Sequence, residues 1–357
     1  MVIPPKSICI FRLSALGDVT HVVPVVRTLQ RGWPDTRLTW VIGRVEHKVV
    51  GDITGVEFLT VDKRDGWRAY RKLRQAVSGR RFDVLLLMQV ALRAGLLSTA
   101  IRADVRIGYD RTRSRELHGL FVNTRISYQP NQHVLDALGS YLEPLGLKQT
   151  EIRWELPIPD EARAFAAEHL PGDQRTLVIS PCSSIVSRNW RPESYAAVAD
   201  HAIRRHGFRV ALVGGTTPLE RGMGDRIRAK VNEPVIDLIG KDTLKRLLAI
   251  LERADVVLSP DSGPAHFANA VGTPVIAFHA GTDPARSGPY HSRHLCVDCF
   301  DQAARKYLGK PALQLRWGAK VRIPESMDLI TTEAVIAMFD RYVAEGGAAD
   351  SVPSPAR

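Results

Sequence analysis

The sequence predicts an α/β protein built from two doubly wound domains, and three observations predict it. Strand-like and helix-like segments alternate from residue 7 to about residue 145. The alternation stops at Leu156-Pro157-Ile158-Pro159-Asp160, where two prolines impose extended backbone, and then restarts. Several strand segments, FDVLLLM at 82–88 above all, are apolar without alternation, as in a parallel sheet covered on both faces. A length of 357 residues suits two domains. Their boundaries read as 1–158 and 159–345, and the small, polar, proline-bearing stretch 346–357 reads as a disordered tail.

Taken in order, 7–13 (SICIFRL) reads as a strand, 19–31 has helical apolar spacing, and 38–42 and 57–61 read as further strands. Residues 67–77 read as a basic helix, 82–88 as a buried strand, 91–101 as a helix, 105–108 as a short strand and 133–145 as a helix. After the proline stretch come a strand at 177–180 and a helix at 192–206, with Pro192 in its first turn, where a missing N–H costs nothing. A strand at 208–213 runs into Gly214-Gly215, followed by a helix at 218–231, a strand at 235–238 and a helix at 243–253. Strands at 255–258 and 275–279 and a last helix at 332–343 complete the pattern.

Hydrophobic content of 45% and charged content of 24% are ordinary for a soluble globular protein. No apolar run approaches the roughly 20 residues of a membrane-spanning helix. The start MVIPPKSICIFRL reads as a first strand rather than a signal peptide, which leads to the expectation of a cytoplasmic protein. Cys9, Cys182, Cys296 and Cys299 are expected to be free thiols. The lone CxxC at 296–299, even with His291 and His294 nearby, lacks the second pair of a closed zinc site. Net charge is +11 and uneven: residues 1–160 hold 24 Lys and Arg against 16 Asp and Glu, residues 161–357 hold 25 against 22. That field suits an anionic partner, whether nucleic acid, lipid surface or phosphorylated substrate. For the basic stretch 68–81, a merely solvated helix face is the plain alternative.

Ser259-Pro260-Asp261-Ser262-Gly263-Pro264-Ala265-His266 leads from an apolar strand into an apolar helical run. A tight strand-to-helix turn of this kind offers backbone N–H groups and a positive helix end to an anion. Asp261 and His266 beside it could hold hydroxyls, so the motif suits a phosphate-linked sugar. In the first half, Ser14-Ala15-Leu16-Gly17-Asp18 also follows a strand. In doubly wound sheets ligands bind at the carboxyl ends of strands, so the two loops could line one cleft. Asp18 reads either as a helix cap or as a general base facing that cleft. The loop Ser180-Pro181-Cys182-Ser183-Ser184-Ile185-Val186-Ser187-Arg188-Asn189-Trp190 has the small hydroxyl residues and the arginine that a diphosphate needs. An ordinary loop with a surface arginine is the alternative. Glu220 reads as a ribose ligand or a first-turn glutamate at a favourable dipole. Trp190 and His21 read as core residues. No GxGxxG follows a strand, and neither a phosphate-binding GxxxxGK[ST] loop nor a GxSxG elbow is present. No reading helix or aromatic platform for nucleic acid is evident.

Together, RLSALGDVTHVVPVV, SPCSSIVSRNW with Pro192-Glu193-Ser194-Tyr195 behind it, LVGGTTPLE and VLSPDSGPAHFANAVGTPVIAFHAGTDP resemble the ADP-heptose:lipopolysaccharide heptosyltransferases of glycosyltransferase family 9. The resemblance runs from about residue 7 to residue 290. It implies a GT-B fold of two Rossmann-like domains facing a central cleft, the first for the acceptor and the second for the nucleotide sugar. It implies Asp18 as the catalytic base and Asp261, Ser262, Gly263 and His266 as the donor motif. Glu220 is then the ribose ligand, Ser183 and Ser184 hold phosphates, and Arg188 stands where the family commonly has lysine. The implied chemistry is inverting transfer from an ADP-sugar co-substrate with no metal or other cofactor. The implied acceptor is an anionic lipopolysaccharide core, held by Ser14, Arg64, Arg68, Arg113 and Arg115, with peripheral contact at the inner membrane surface and no nucleic-acid partner. A transferase of the same fold using another nucleotide sugar, and a non-catalytic nucleotide-sugar or polyanion binder, are the rival readings.

Overall fold

The structure, a computed structural model, describes residues 3–346, so the expected tail falls outside the described residues except for Gly346. The chain divides between Pro157 and Ile158 into two compact units. In unit 1 the elements are β1 (Ser7–Phe11), α1 (Val23–Gly32), β2 (Arg37–Gly43), α2 (Arg44–Val50), β3 (Val56–Val61), α3 (Trp67–Ala76), β4 (Phe82–Leu87), α4 (Leu92–Ser98), β5 (Ala103–Gly108), β6 (Thr124–Arg125) and α5 (Val134–Gly139). Its sheet is wholly parallel, in the order β3-β2-β1-β4-β5-β6. β1 is central, with Ile8 opposite Leu38 on one side and Val84 on the other, and all five of its residues are buried. The unalternating apolar strands therefore sit where both faces are covered. On α3, Ala69 and Leu73 with the following Val77 form a stripe at helical spacing that packs beside Phe11, Leu85 and Leu97.

Unit 2 runs α6 (Asp160–His169), β7 (Thr176–Ile179), α7 (Pro192–His206), β8 (Arg209–Leu212), α8 (Pro218–Arg228), β9 (Ile236–Asp237), α9 (Leu244–Arg253), β10 (Val256–Pro260), α10 (Gly263–Ala270), β11 (Val275–His279), α11 (Pro284–Ser287), β12 (Cys296–Asp298), α12 (Phe300–Leu308) and α13 (Thr332–Ala344). Its parallel order β12-β11-β10-β7-β8-β9 is the same permutation as in unit 1. Both sheets are doubly wound, and each has one switch point where the chain reverses its direction of travel: between β1 and β4, and between β7 and β10. Trp190 lies in the core, its indole N–H bonded to the Ile330 carbonyl at 2.9 Å. α13 packs on α7 and β11 within unit 2.

Three expectations are corrected. The helix expected from residue 19 starts at Val23. Before it, the backbone makes tighter three-residue bonds (Thr20 N to Gly17 O, His21 N to Asp18 O), and the Thr20 hydroxyl caps the Gly17 carbonyl at 2.7 Å. The helix expected over 133–145 is α5 followed by a 3₁₀ segment, Ser140–Leu145, with Pro144 inside it. The strand before the Asp-Ser-Gly motif extends through Pro260, so Asp261 sits at the strand's very end.

Candidate functional site

The switch point of unit 2 brings the loops after β7 and β10 side by side, as the Ser180 N–H bond to Leu258 O shows. Across it Arg188 Nη1 meets Asp261 Oδ2 at 2.9 Å and donates to the Asp261 carbonyl at 3.2 Å. Both side chains are largely buried. Thr282 Oγ1 donates to the same Oδ2 at 2.7 Å, and His279 Nδ1 lies 3.1 Å from Thr282 Oγ1. His266, buried on α10, holds its Nε2 4.0 Å from Asp261 Oδ1. Ser262 is the N-cap residue of α10 and pairs its hydroxyl with Ser259 at 2.8 Å. Gly263 begins that helix, whose first-turn amides are left by geometry to outside partners.

Burial alone would push Asp261 up, but His279, Arg188, His266 and the Thr282 hydroxyl together hold its carboxyl below the usual carboxylate range. Burial pushes His279 down to about 4. It is therefore neutral at pH 7, and Arg188 is the standing positive charge opposite Asp261. A depressed histidine favours the folded state only while both states are neutral, so stability falls as pH drops from 6.5 towards about 4. The expected loss is about 3 kcal/mol, read by urea unfolding across that window. His279→Asn should flatten this part of the profile, and an unchanged slope would contradict it. His118, also pushed down to about 4 by burial, keeps a residual slope in the same direction.

The other residues expected to bind the donor follow neighbouring strands of the same sheet. Ser183 is buried, its N–H donating to Asn189 Oδ1 at 2.6 Å, while Ser184 is exposed. Glu220, in the first turn of α8, accepts from Gly215 N at 2.8 Å and from Thr217 Oγ1 at 2.5 Å. The first-turn reading of Glu220 thus holds geometrically, and its carboxylate stands over the Gly214-Gly215 turn. In the next loop, beyond β9, Asp242 was overlooked in the sequence. Its Oδ2 is buried with no hydrogen-bond partner among the described residues, and burial, with Glu220 adding, raises it to about 7. His279, Thr282 and Asp242 share one weak signal: each is a polar residue at or just past the end of a strand.

Unit 1 has a corresponding arrangement at its switch point. Arg12, at the end of β1, donates to Met88 O at 2.6 Å and to Asp18 Oδ2 at 2.5 Å. The Ala15 N–H also points at Asp18 Oδ2, at 3.3 Å. The reading of Asp18 as a helix cap is not what forms: α1 starts five residues later, with Val22 at its N-cap. The Asp18 carboxylate is instead oriented by Arg12, and its side chain is 36% exposed. Gln89, just after β4, accepts from Leu13 N at 2.9 Å and donates to Ser14 Oγ at 3.1 Å. Arg12 and Gln89 were missed because one charged or polar residue at a strand end looks like ordinary surface.

The remaining arginines are dispersed. Arg64 is highly exposed and chelates Asp62, and Arg68 is exposed on α3. Arg113 is mostly buried and engages Asp110, Gln132 and Ser127 O, fixing the loop that carries exposed Arg115. The four cysteines are free thiols, and burial pushes Cys296 up to about 12 and Cys182 up to about 11. Among the described residues one trio could hold a metal ion: His201 and His206 on α7, each Nε2 2.6 Å from Asp340 Oδ1 on α13. No described helix is long and apolar enough to cross a membrane.

Comparison with known proteins bears on this geometry. Residues 70–314 match the family described as glycosyltransferase family 9 (heptosyltransferase). The chain is 38% identical over 337 residues to the lipopolysaccharide core heptosyltransferase OpsX of Haemophilus influenzae, covering 94% of this chain and 97% of that protein. Among solved structures it resembles a glycosyl transferase family 9 protein from Veillonella parvula (TM-score 0.78, 22% identity, 97% of this chain and 99% of that one). It also resembles E. coli heptosyltransferase WaaC with ADP (TM-score 0.72, 20% identity, 96% of this chain and 100% of that one). With two doubly wound units in the GT-B fold and a relative this similar along nearly its whole length, the chain is a glycosyltransferase and belongs to glycosyltransferase family 9, the heptosyltransferases.

Proposed function

We propose that this enzyme moves heptose from an ADP-heptose donor to a sugar hydroxyl of the anionic lipopolysaccharide inner core, inverting the anomeric centre and requiring no divalent metal. The observation that carries the reading is the buried Arg188–Asp261 pair at the switch point of unit 2, set against the start of α10. That the Haemophilus relative is a lipopolysaccharide core heptosyltransferase and that the E. coli structure holds ADP support the acceptor and nucleotide parts of the reading.

The strand order suggests how a long donor lies along the edge. The diphosphate sits between the β7 and β10 loops, on Ser183, Ser184, Arg188 and the amides beginning at Ser262 and Gly263. The ribose hydroxyls reach Glu220 beside β8, and Asp261 and His266 fix the sugar end. Unit 1, the acceptor domain of this reading (1–158), presents Asp18 as the base, and unit 2 (159–345) is the donor domain. In the chemical step the acceptor hydroxyl gives its proton to the Asp18 carboxylate. Its oxygen bonds to the anomeric carbon from the face opposite ADP while the bond from that carbon to the β-phosphate oxygen breaks. The electron pair leaves on the diphosphate, where Arg188 and the helix amides receive the charge, the part a metal plays elsewhere. Ser14, Arg64, Arg68 and Arg115, with Arg113 setting the loop, would hold the phosphates of the core. The reading places the enzyme in the cytoplasm, working against the inner face of the inner membrane, without nucleic acid.

A donor panel tests this. With purified core acceptor, ADP-heptose is expected to give a product heavier by one heptose, while UDP- and GDP-sugars give none. A chelator is expected to change the rate by less than about twofold, since the leaving group is stabilised by Arg188 and amides. Transfer from a different nucleotide sugar would replace the donor assignment, and strict metal dependence would remove the leaving-group argument.

A further inference from the structure

Unit 1 carries an apolar ridge that the site above does not use, within a basic surround that the proposed function draws on only at Arg64, Arg68 and Arg115. Leu92 and Leu96 on α4 are exposed, as are Leu117 (63%) and Leu120 (76%) at the 3₁₀ turn His118–Phe121. α4 and this turn pack closely at Gly95, where an added Cβ would clash with the Phe121 ring. Their leucines therefore belong to one surface. Glu116 and Leu117 both hold left-handed backbone (φ 49° and 60°), unusual for such residues, and Leu117 is nevertheless turned to solvent. The ridge continues onto α3. α3 packs beside α4, and Trp67, 73% exposed, stacks on Tyr70 at 5.2 Å. Thr99, just past α4, and Leu120 line one shallow pocket.

The surround is cationic. Residues 63–74 hold six Lys and Arg against one Asp. Trp67, Arg71 and Arg74 recur at helical spacing along the exposed face of α3, Ala69, Leu73 and Val77 bury the other, and half-buried Tyr70 stands at the border against the core. Arg68, Arg71, Arg102 and Arg115 make no ion pair with any described residue.

Exposed leucines, a tryptophan at their border and unpaired arginines around them match the layers of a lipid interface: acyl chains, carbonyl region and phosphates. An acidic protein partner would use the charge but leave the leucines unexplained. We infer that the face of unit 1 formed by α3, α4 and the turn at His118–Phe121 docks on an anionic lipid surface. The purpose assigned to it rests on the proposed function. Leu92 lies three residues beyond Gln89, which touches Ser14 in the Asp18 loop, so a glycolipid could keep its chains in the bilayer while its sugar reaches that loop.

The test is co-sedimentation of the full chain with vesicles of phosphatidylcholine alone or with phosphatidylglycerol added, without donor or acceptor. Binding to the anionic vesicles is expected to be at least about tenfold tighter and to weaken with salt. Leu117→Glu/Leu120→Glu and, separately, Arg71→Glu/Arg74→Glu should each lower the partition coefficient about tenfold. All four side chains are exposed, so far-ultraviolet dichroism and melting should match the parent. Brominated lipid should quench fluorescence in the parent but much less in Trp67→Phe. Absence of binding, or binding that neither double variant weakens, overturns the inference. Transfer to a soluble core fragment, assayed separately, shows whether the transferase reading stands, whichever way the vesicle result falls.

Discussion

Asp18→Ala is expected to lower sugar transfer by about 10³-fold or more while ADP binding, read by calorimetry, stays within about twofold of the parent. The reason lies in how the carboxylate is held. Arg12 is 10% exposed and anchored on Met88 O, so it fixes the direction of Asp18 rather than following it. The Asp18 side chain remains open enough for a hydroxyl to approach. Removing it also leaves the Arg12 charge uncompensated, so some loss of stability should accompany the alanine variant. Asp18→Asn separates the two effects: it keeps the shape and a hydrogen-bond acceptor for Arg12 but not the basicity. It should melt close to the parent and still fail to turn over. Turnover of either variant within about tenfold of the parent would remove Asp18 from the chemistry.

The second large effect is at Arg188. Replacing it with alanine strands the Asp261 carboxylate in a buried setting, at a cost of about 3–5 kcal/mol of stability. It also removes the cation proposed to receive charge on the leaving diphosphate, worth about 10²–10³-fold in kcat. Arg188→Lys restores the charge. It does not restore the geometry in which one guanidinium spans the Asp261 carboxylate and carbonyl, so partial recovery of both properties is expected. The double variant Arg188→Met/Asp261→Asn separates folding from function, because it removes both charges together. Stability should return towards the parent value while turnover stays low, and the coupling can be read from a double-mutant cycle. If the alanine variant keeps normal kcat, the leaving-group role is wrong even if the ion pair proves structural.

The parts of the fold that could be read from the chain are those where local chemistry and burial agree. SICIF and FDVLLL are apolar on both faces because they occupy the middle of a covered parallel sheet, and α7 is bounded by Pro192 and Gly207. α2 (RVEHKVV), α6 and β12 went unread because they are short and mixed in polarity, so their structure is imposed by packing rather than by pattern. The site divides in the same way. Asp18, Asp261 and Glu220 stand next to glycine turns and were visible as candidates. Arg12, His279, Thr282 and Asp242 acquire meaning only from partners: Thr282 lies 21 residues from the carboxylate it bonds, and no local pattern records that distance. The reading of Asp18 as a cap failed for a related reason, since a partner six residues back, Arg12, orients it instead.

The identical strand permutation in the two halves has an evolutionary consequence. Each half carries a complete hydrophobic interior of its own, and the residues proposed for donor and acceptor hang from different sheets. Drift in the loops of one half leaves the scaffold of the other untouched. A duplicated ancestral module could thus have diversified twice over, and a chimera joined at Pro157 is the natural unit in which such lineages would exchange specificities.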